Sequence, residues 1–219
     1  MAQGTSGVRA ALTHGWAYDF TQRLLGGART RRWIQREYIR ARPGERVLDV
    51  GCGTGDILSV LPDVDYVGFD VNERYIARAK ARWGLRGQFF ARHIDRNAIE
   101  SLGTFDLILA TGLLHHLEDD EANALFETLA GALRLNARII TVDGCYVERQ
   151  NPIARFIINR DLGKNVRTPE GYARLARRSL TDVHGWIIHR AWIPYTYWIM
   201  RAGTAPRRGR ERVCERRLR

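Results

Sequence analysis

Apolar and polar positions alternate along this chain in two rhythms. Val47, Leu48 and Val50 form a short β-type run that stops at Gly51, and similar runs recur at 64–69, 88–94, 105–110 and 138–142. Between them the spacing turns helical. Tyr75, Ile76 and Ala79 mark a helix over 72–83, and Ala122, Leu125, Phe126, Leu129 and Leu133 mark one over 119–133, with Asp119, Asp120 and Glu121 at its positive end. A helix beginning at 57 is cut short by Pro62. Upstream, Trp16, Phe20 and Leu24 predict a helix ended by Gly26-Gly27, and Trp33, Ile34, Tyr38 and Ile39 predict a second, with arginines on its other side and Pro43-Gly44 as its stop. Beyond residue 146 the strand–helix rhythm lapses. A short helix at 153–158 is followed by one that Thr168-Pro169-Glu170 opens, with proline at the favoured first position, running to about Ser179. Runs at 186–193 and 195–200 flank Pro194 as an antiparallel return. Strands alternating with helices predict an α/β fold: a doubly wound, mostly parallel sheet with an antiparallel last strand and helices on both faces. The chain divides into an amino-terminal helical cap (1–42), a core (43–203) with an insertion at 146–167, and a basic tail (204–219) expected to lack order.

The break after the first run carries the candidate chemistry. Asp49-x-Gly51-Cys52-Gly53-x-Gly55 reads as a strand entering a tight loop, where glycine lets a ligand approach the backbone and a following helix presents unpaired N–H groups. A dinucleotide fingerprint is spaced differently, as Gly-x-Gly-x-x-Gly. An acid two residues before the first glycine suits a ligand bearing an ammonium or sulfonium centre and sits poorly beside a pyrophosphate. S-adenosylmethionine is therefore favoured over NAD. Asp70, with Val71 after it, closes the second run at the place where an acid in such folds accepts hydrogen bonds from ribose hydroxyls. The fourth run ends in Thr111-Gly112-Leu113-Leu114-His115-His116, beside the glycine loop by topology. Either histidine is a candidate general base, and the alternative is a purely structural role. Cys52, between two glycines, reads as a small filler.

Charge changes the picture only once it is placed along the chain. The formal net charge is +11, of which residues 207–219 hold +5 and residues 1–42 hold +6, while 43–206 carry twenty groups of each sign. Basicity confined to the ends describes solvated termini first; a nucleic acid or an anionic membrane surface is a secondary expectation. Three cysteines, Cys52, Cys145 and Cys214, have no metal-type spacing, so no metal site is expected and a reducing cytoplasm fits. No apolar run approaches the length of a membrane span.

Residues 47–55, Gly68-Phe69-Asp70, Phe105-Asp106 and Leu113-Leu114-His115-His116-Leu117 together resemble a class I S-adenosylmethionine-dependent methyltransferase of Rossmann-like fold, nearest the broad group that includes the ubiquinone and menaquinone biosynthesis enzymes. The resemblance is good over about 44–145. It implies S-adenosylmethionine bound by Asp49, Gly51, Cys52, Gly53, Gly55, Asp70, Val71 and Thr111. It also implies an acid against the adenine, a place filled by either His93 or Asp95, and a pocket wall from the amino-terminal helices, with Tyr18 a candidate. The insertion would cap the acceptor, and Arg160, Lys164 and Arg167 are read as a solvated face or as an anion contact. The Asn/Asp-Pro-Pro-aromatic motif of nucleobase and glutamine methylases is missing from 111–114, and so is the Pro-Cys pair used for attack on cytosine. A small-molecule acceptor, methylated on oxygen or carbon, therefore leads. RNA or another polyanion, and a non-catalytic cofactor-binding module, are the alternatives.

Overall fold

The computed structural model describes residues 27–160, 163–190, 195–204 and 213–218, the last stretch as backbone. The helix expected over 16–25, Tyr18 and Pro194 lie outside the described residues. Eight strands form one sheet: β1 (Arg46–Val50), β2 (Asp65–Asp70), β3 (Gly87–Ala91), β4 (Phe105–Thr111), β5 (Leu133–Gly144), β6 (Asp182–Arg190), β7 (Thr196–Gly203) and β8 (Val213–Leu218). Their order across the sheet is β3-β2-β1-β4-β5-β7-β6-β8. Strands β1 to β5 pair in parallel. Strand β7 runs antiparallel to both β5 and β6, and β8 pairs in parallel with β6 at the edge.

The described helices are α1 (Gly27–Ile34, continued by a wider turn over Gln35–Ile39), α2 (Glu73–Trp83), α3 (Arg96–Leu102), α4 (Asp119–Gly131), α5 (Pro152–Arg160) and α6 (Pro169–Ala176). Period-two alternation sends Val47, Leu107 and Leu109 to one face of the sheet and Leu48, Val50 and Ile108 to the other. On the first face they meet Ile34, Tyr38 and Ile39 around α1, Ile76 and Ala79 of α2, and Ile158 of α5. On the second they meet Ala98 and Ile99 of α3, Phe126 and Leu129 of α4, and Tyr172 and Leu175 of α6. Both faces are thus covered, as buried parallel strands require.

Three expectations are corrected. The helix after the glycine loop is a single tight turn, Asp56–Ser59, and the Arg86 guanidinium takes up the carbonyls it leaves at Leu58 (2.8 Å) and Pro62 (2.9 Å). Helix α3 went unread because it buries only Ala98 and Ile99 and shows no stripe. Its signal is a cap, with the Asp95 carboxylate accepting from Ala98 N at 2.7 Å. The tail expected to lack order contributes β8 over Val213–Leu218. Strand pairing is made by backbone N–H and C=O groups, which arginine-rich composition does not remove, and β6 would otherwise present an open edge.

Candidate active site

The carboxyl ends of β1, β2, β4 and β5 converge on the glycine loop and the turn that carries the histidines. Gly51, Gly53 and Gly55 all hold positive φ, at 73°, 54° and 70°. This coil turns the loop back onto β2: Gly51 N and Cys52 N both donate to Phe69 O, at 2.8 and 3.0 Å, and Gly55 N donates to Cys52 O at 2.9 Å. Gly53 N donates to the Asp70 carboxylate at 2.9 Å, and Asn72 N donates to its other oxygen at 2.8 Å. Loop amides committed in this way form no phosphate cradle. What the loop offers a ligand is carboxylate.

Asp49 is the second acid. Its Oδ2 accepts from the Tyr66 hydroxyl at 2.6 Å, while its Oδ1 is buried without a hydrogen-bond partner. Burial pushes the carboxyl up to about 7, opposed by the Tyr66 hydrogen bond and assisted by the charge of Asp70. Desolvation also raises Asp70, against its two backbone N–H partners and the nearby His93. The two acids therefore stand close enough for the charge of Asp70 to oppose the ionisation of Asp49. A buried carboxylate oxygen with no donor is costly by itself, and an arriving ammonium group answers it. Burial first, and then the same two carboxylates, drive the Cys52 thiol far above its ordinary range, so it is an inert packing group.

Across the sheet, β4 runs into a tight turn, Leu114–His116. The His115 ring is buried, with Nδ1 2.9 Å from Asp143 Oδ1, and its backbone N donates to the same oxygen at 3.3 Å. Asp143 stands near the end of β5 and is 1% exposed. A carboxylate against Nδ1 fixes the orientation of the ring. His116 is half-buried, its ring centroid 4.1 Å from that of His115.

Residues 47–136 match the family described as a methyltransferase domain. The match makes this stretch of the chain similar to a methyltransferase domain. Among curated relatives, the ubiquinone biosynthesis O-methyltransferase of Bordetella avium is 30% identical over 92 residues, which is 40% of this chain and 38% of that protein. The ubiquinone/menaquinone biosynthesis C-methyltransferase UbiE of Geobacter sulfurreducens is 42% identical over 67 residues, 27% of this chain and 26% of that one. These matches span well under two thirds of the relatives' own length. Among solved structures, mitomycin 7-O-methyltransferase MmcR superposes with a TM-score of 0.63 at 17% identity, covering 92% of this chain and 62% of that one. Human N-acetylserotonin methyltransferase, solved in complex with SAM, gives 0.62 at 16% identity, covering 94% and 61%. At that identity the likeness is one of fold.

The residues read from sequence fall into two groups. Asp49, Gly51, Cys52, Gly53, Gly55 and Asp70 meet at the loop, with Val71 between Asp70 and the cap of α2. Thr111 ends β4, and His115 and His116 follow it. Asp95 is occupied as the cap of α3, whereas His93 is close enough to Asp70 to act on its charge. Arg167 is no solvated face: its guanidinium is turned inward onto the histidine turn. The sequence reading passed over two partners, Tyr66 and Asp143. Asp143 had a legible signal, an acid ending an apolar strand beside the one that ends in histidines. Tyr66 had none, since an aromatic residue in a strand reads as core.

Proposed function

We propose that this chain binds S-adenosylmethionine at the glycine loop and transfers its methyl group to a small-molecule acceptor, with oxygen favoured as the acceptor atom. The observation that carries the cofactor assignment is the partnerless Oδ1 of Asp49, buried beside Asp70 in a loop whose amides are already committed. Asp49 would hold the amino group of the donor and Asp70 its ribose hydroxyls. The cofactor supplies a methyl group activated by a positive sulfur, so the chain has only to align an acceptor and exclude water. The His115–Asp143 pair favours oxygen: a hydroxyl acceptor sheds a proton as it is methylated, and His115 Nε2 would receive it while Asp143 stabilises the resulting imidazolium. The names of the relatives above fit an O-methyltransferase or a C-methyltransferase and do not specify the acceptor.

The test is transfer of labelled methyl into small-molecule fractions of a cell extract, with the product identified by mass. The expected product carries an O-methyl group, and His115→Ala abolishes its formation while still binding the cofactor. If the protein bound S-adenosylmethionine yet made no S-adenosylhomocysteine with any acceptor pool, a non-catalytic binding module would replace this reading. One observation favours a polyanion acceptor instead: Arg29, Arg32, Arg36 and Arg40 all lie exposed along α1 and its continuation. That reading requires RNA affinity falling steeply with salt.

A further inference from the structure

The last residues of the insertion cross over the histidine turn. The Gly163 backbone lies against the His115 ring so closely that a Cβ there would run into the imidazole Cδ2 and stand 2.8 Å from His115 O. Asn165 N donates to His115 O at 3.0 Å. Arg167 then reaches back. Its guanidinium donates to Leu114 O (2.9 Å) and Leu117 O (2.7 Å), the carbonyls on either side of the histidines, and to Asn165 O (2.9 Å). It also pairs with Asp119 at the start of α4 at 2.7 Å. Its backbone faces the other way: Tyr146 N donates to Arg167 O at 3.1 Å, and Cys145 forms a β-bridge with Arg167, prolonging the strand that carries Asp143.

One residue thus grips both halves of the buried pair, the histidine turn through its side chain and the β5 extension through its main chain. We propose that Arg167 is the positioning residue that sets the His115–Asp143 hydrogen bond, with Gly163 as the surface that holds the imidazole in place. The catalytic meaning rests on the proposed methyl transfer; the positioning itself does not. A fork is needed because the carbonyls of Leu114, Leu117 and Asn165 and the Asp119 carboxylate must be met at once. A lysine ammonium at this position cannot reach all four in that planar arrangement.

The experiment is histidine-labelled NMR of the full chain, reading proton exchange at His115 Nδ1 and the pH titration of its ring. Arg167→Lys is expected to speed Nδ1 exchange by roughly tenfold and lower the ring's titration midpoint, because a hydrogen bond to a carboxylate is weakened. Gly163→Ala leaves Arg167 intact and is expected to do the same by pushing the ring aside. Calorimetric binding of S-adenosylmethionine is read in parallel and should stay within about threefold of the parent, since the contacts of Gly163 and Arg167 are to the histidine turn, α4 and the β5 extension. His115 signals unchanged in both folded variants would overturn the assignment. Absence of cofactor binding in parent and variants alike would defeat the methyltransferase reading while leaving the positioning role of Arg167 and Gly163 to be judged by the NMR data alone.

Discussion

At Asp49 folding and binding pull in opposite directions. A carboxyl raised to about 7 is favoured in its neutral form by the folded chain, so its contribution to stability is complete below its ordinary value of 3.8 and is lost as pH rises through 7. Without cofactor, Asp49→Asn should therefore stabilise the domain at pH 8 by up to a few kcal/mol, because the amide oxygen can still accept from Tyr66. Thermal melts of parent and variant at pH 5 and pH 8 check this; the gain should appear at pH 8 and shrink at pH 5. A cationic donor needs the ionised form, so cofactor affinity should fall by up to about tenfold per unit as pH drops below 7, with proton uptake by Asp49 as the cause. Calorimetry in buffers of different ionisation heat would show the proton released on binding, and pH-independent affinity would count against the pairing. Asp49 itself was legible, since its place before the glycines sets it apart. Its hydroxyl partner was not, for the tyrosine lies seventeen positions away and is brought alongside only by strand pairing.

Among the elements, α1 is fastened by one side chain. Arg138, in β5, donates to Ile39 O at 3.1 and 3.0 Å and to Arg40 O at 2.8 Å, and meets both Glu45 oxygens at 3.0 Å. Arg40 itself is left-handed, with φ of 51°, so the helix ends on carbonyls that this guanidinium satisfies. Arg138→Met should cost about 2–3 kcal/mol in denaturant unfolding, for several charge-assisted bonds are lost together. Glu45 is held below its ordinary range by Arg138 despite the opposing effect of burial. Its contribution is therefore present above about pH 4.5 and lost as pH falls below it, so the cost of the variant should narrow in acid. Periodicity found the regular part of β5, from residue 138 onward. It missed 133–137 because the register slips between Phe105 and Leu107 and Asn136 takes positive φ. Alternation cannot be read through a bulge.

For the whole molecule, the mostly parallel sheet, its antiparallel return and the two covered faces follow from patterns that a single chain displays openly, namely apolar runs, glycine breaks and helical stripes. Long-range polar contacts are different in kind. His115 with Asp143, Asp49 with Tyr66 and Arg167 with the histidine turn join residues 17 to 53 positions apart. No local pattern announces such pairs, because topology alone decides which strand ends lie side by side. The candidate site was therefore half legible: the loop and its acids from spacing, the histidines as a pair without roles, Asp143 as an acid at a strand end whose pairing only the fold reveals, and Tyr66 not at all. Among the described residues, no helix is long and apolar enough to cross a membrane and no His/Cys/Asp/Glu cluster could hold a metal ion.

The most direct test of the account is calorimetric titration of S-adenosylmethionine into the parent chain, Gly53→Val and Asp70→Ala. The parent should bind one equivalent. Gly53→Val should lose binding, since a branched residue cannot hold the φ of 54° that keeps the loop open, and Asp70→Ala should weaken it by about tenfold or more. Equal affinity in all three folded proteins would contradict the placement of the cofactor at this loop.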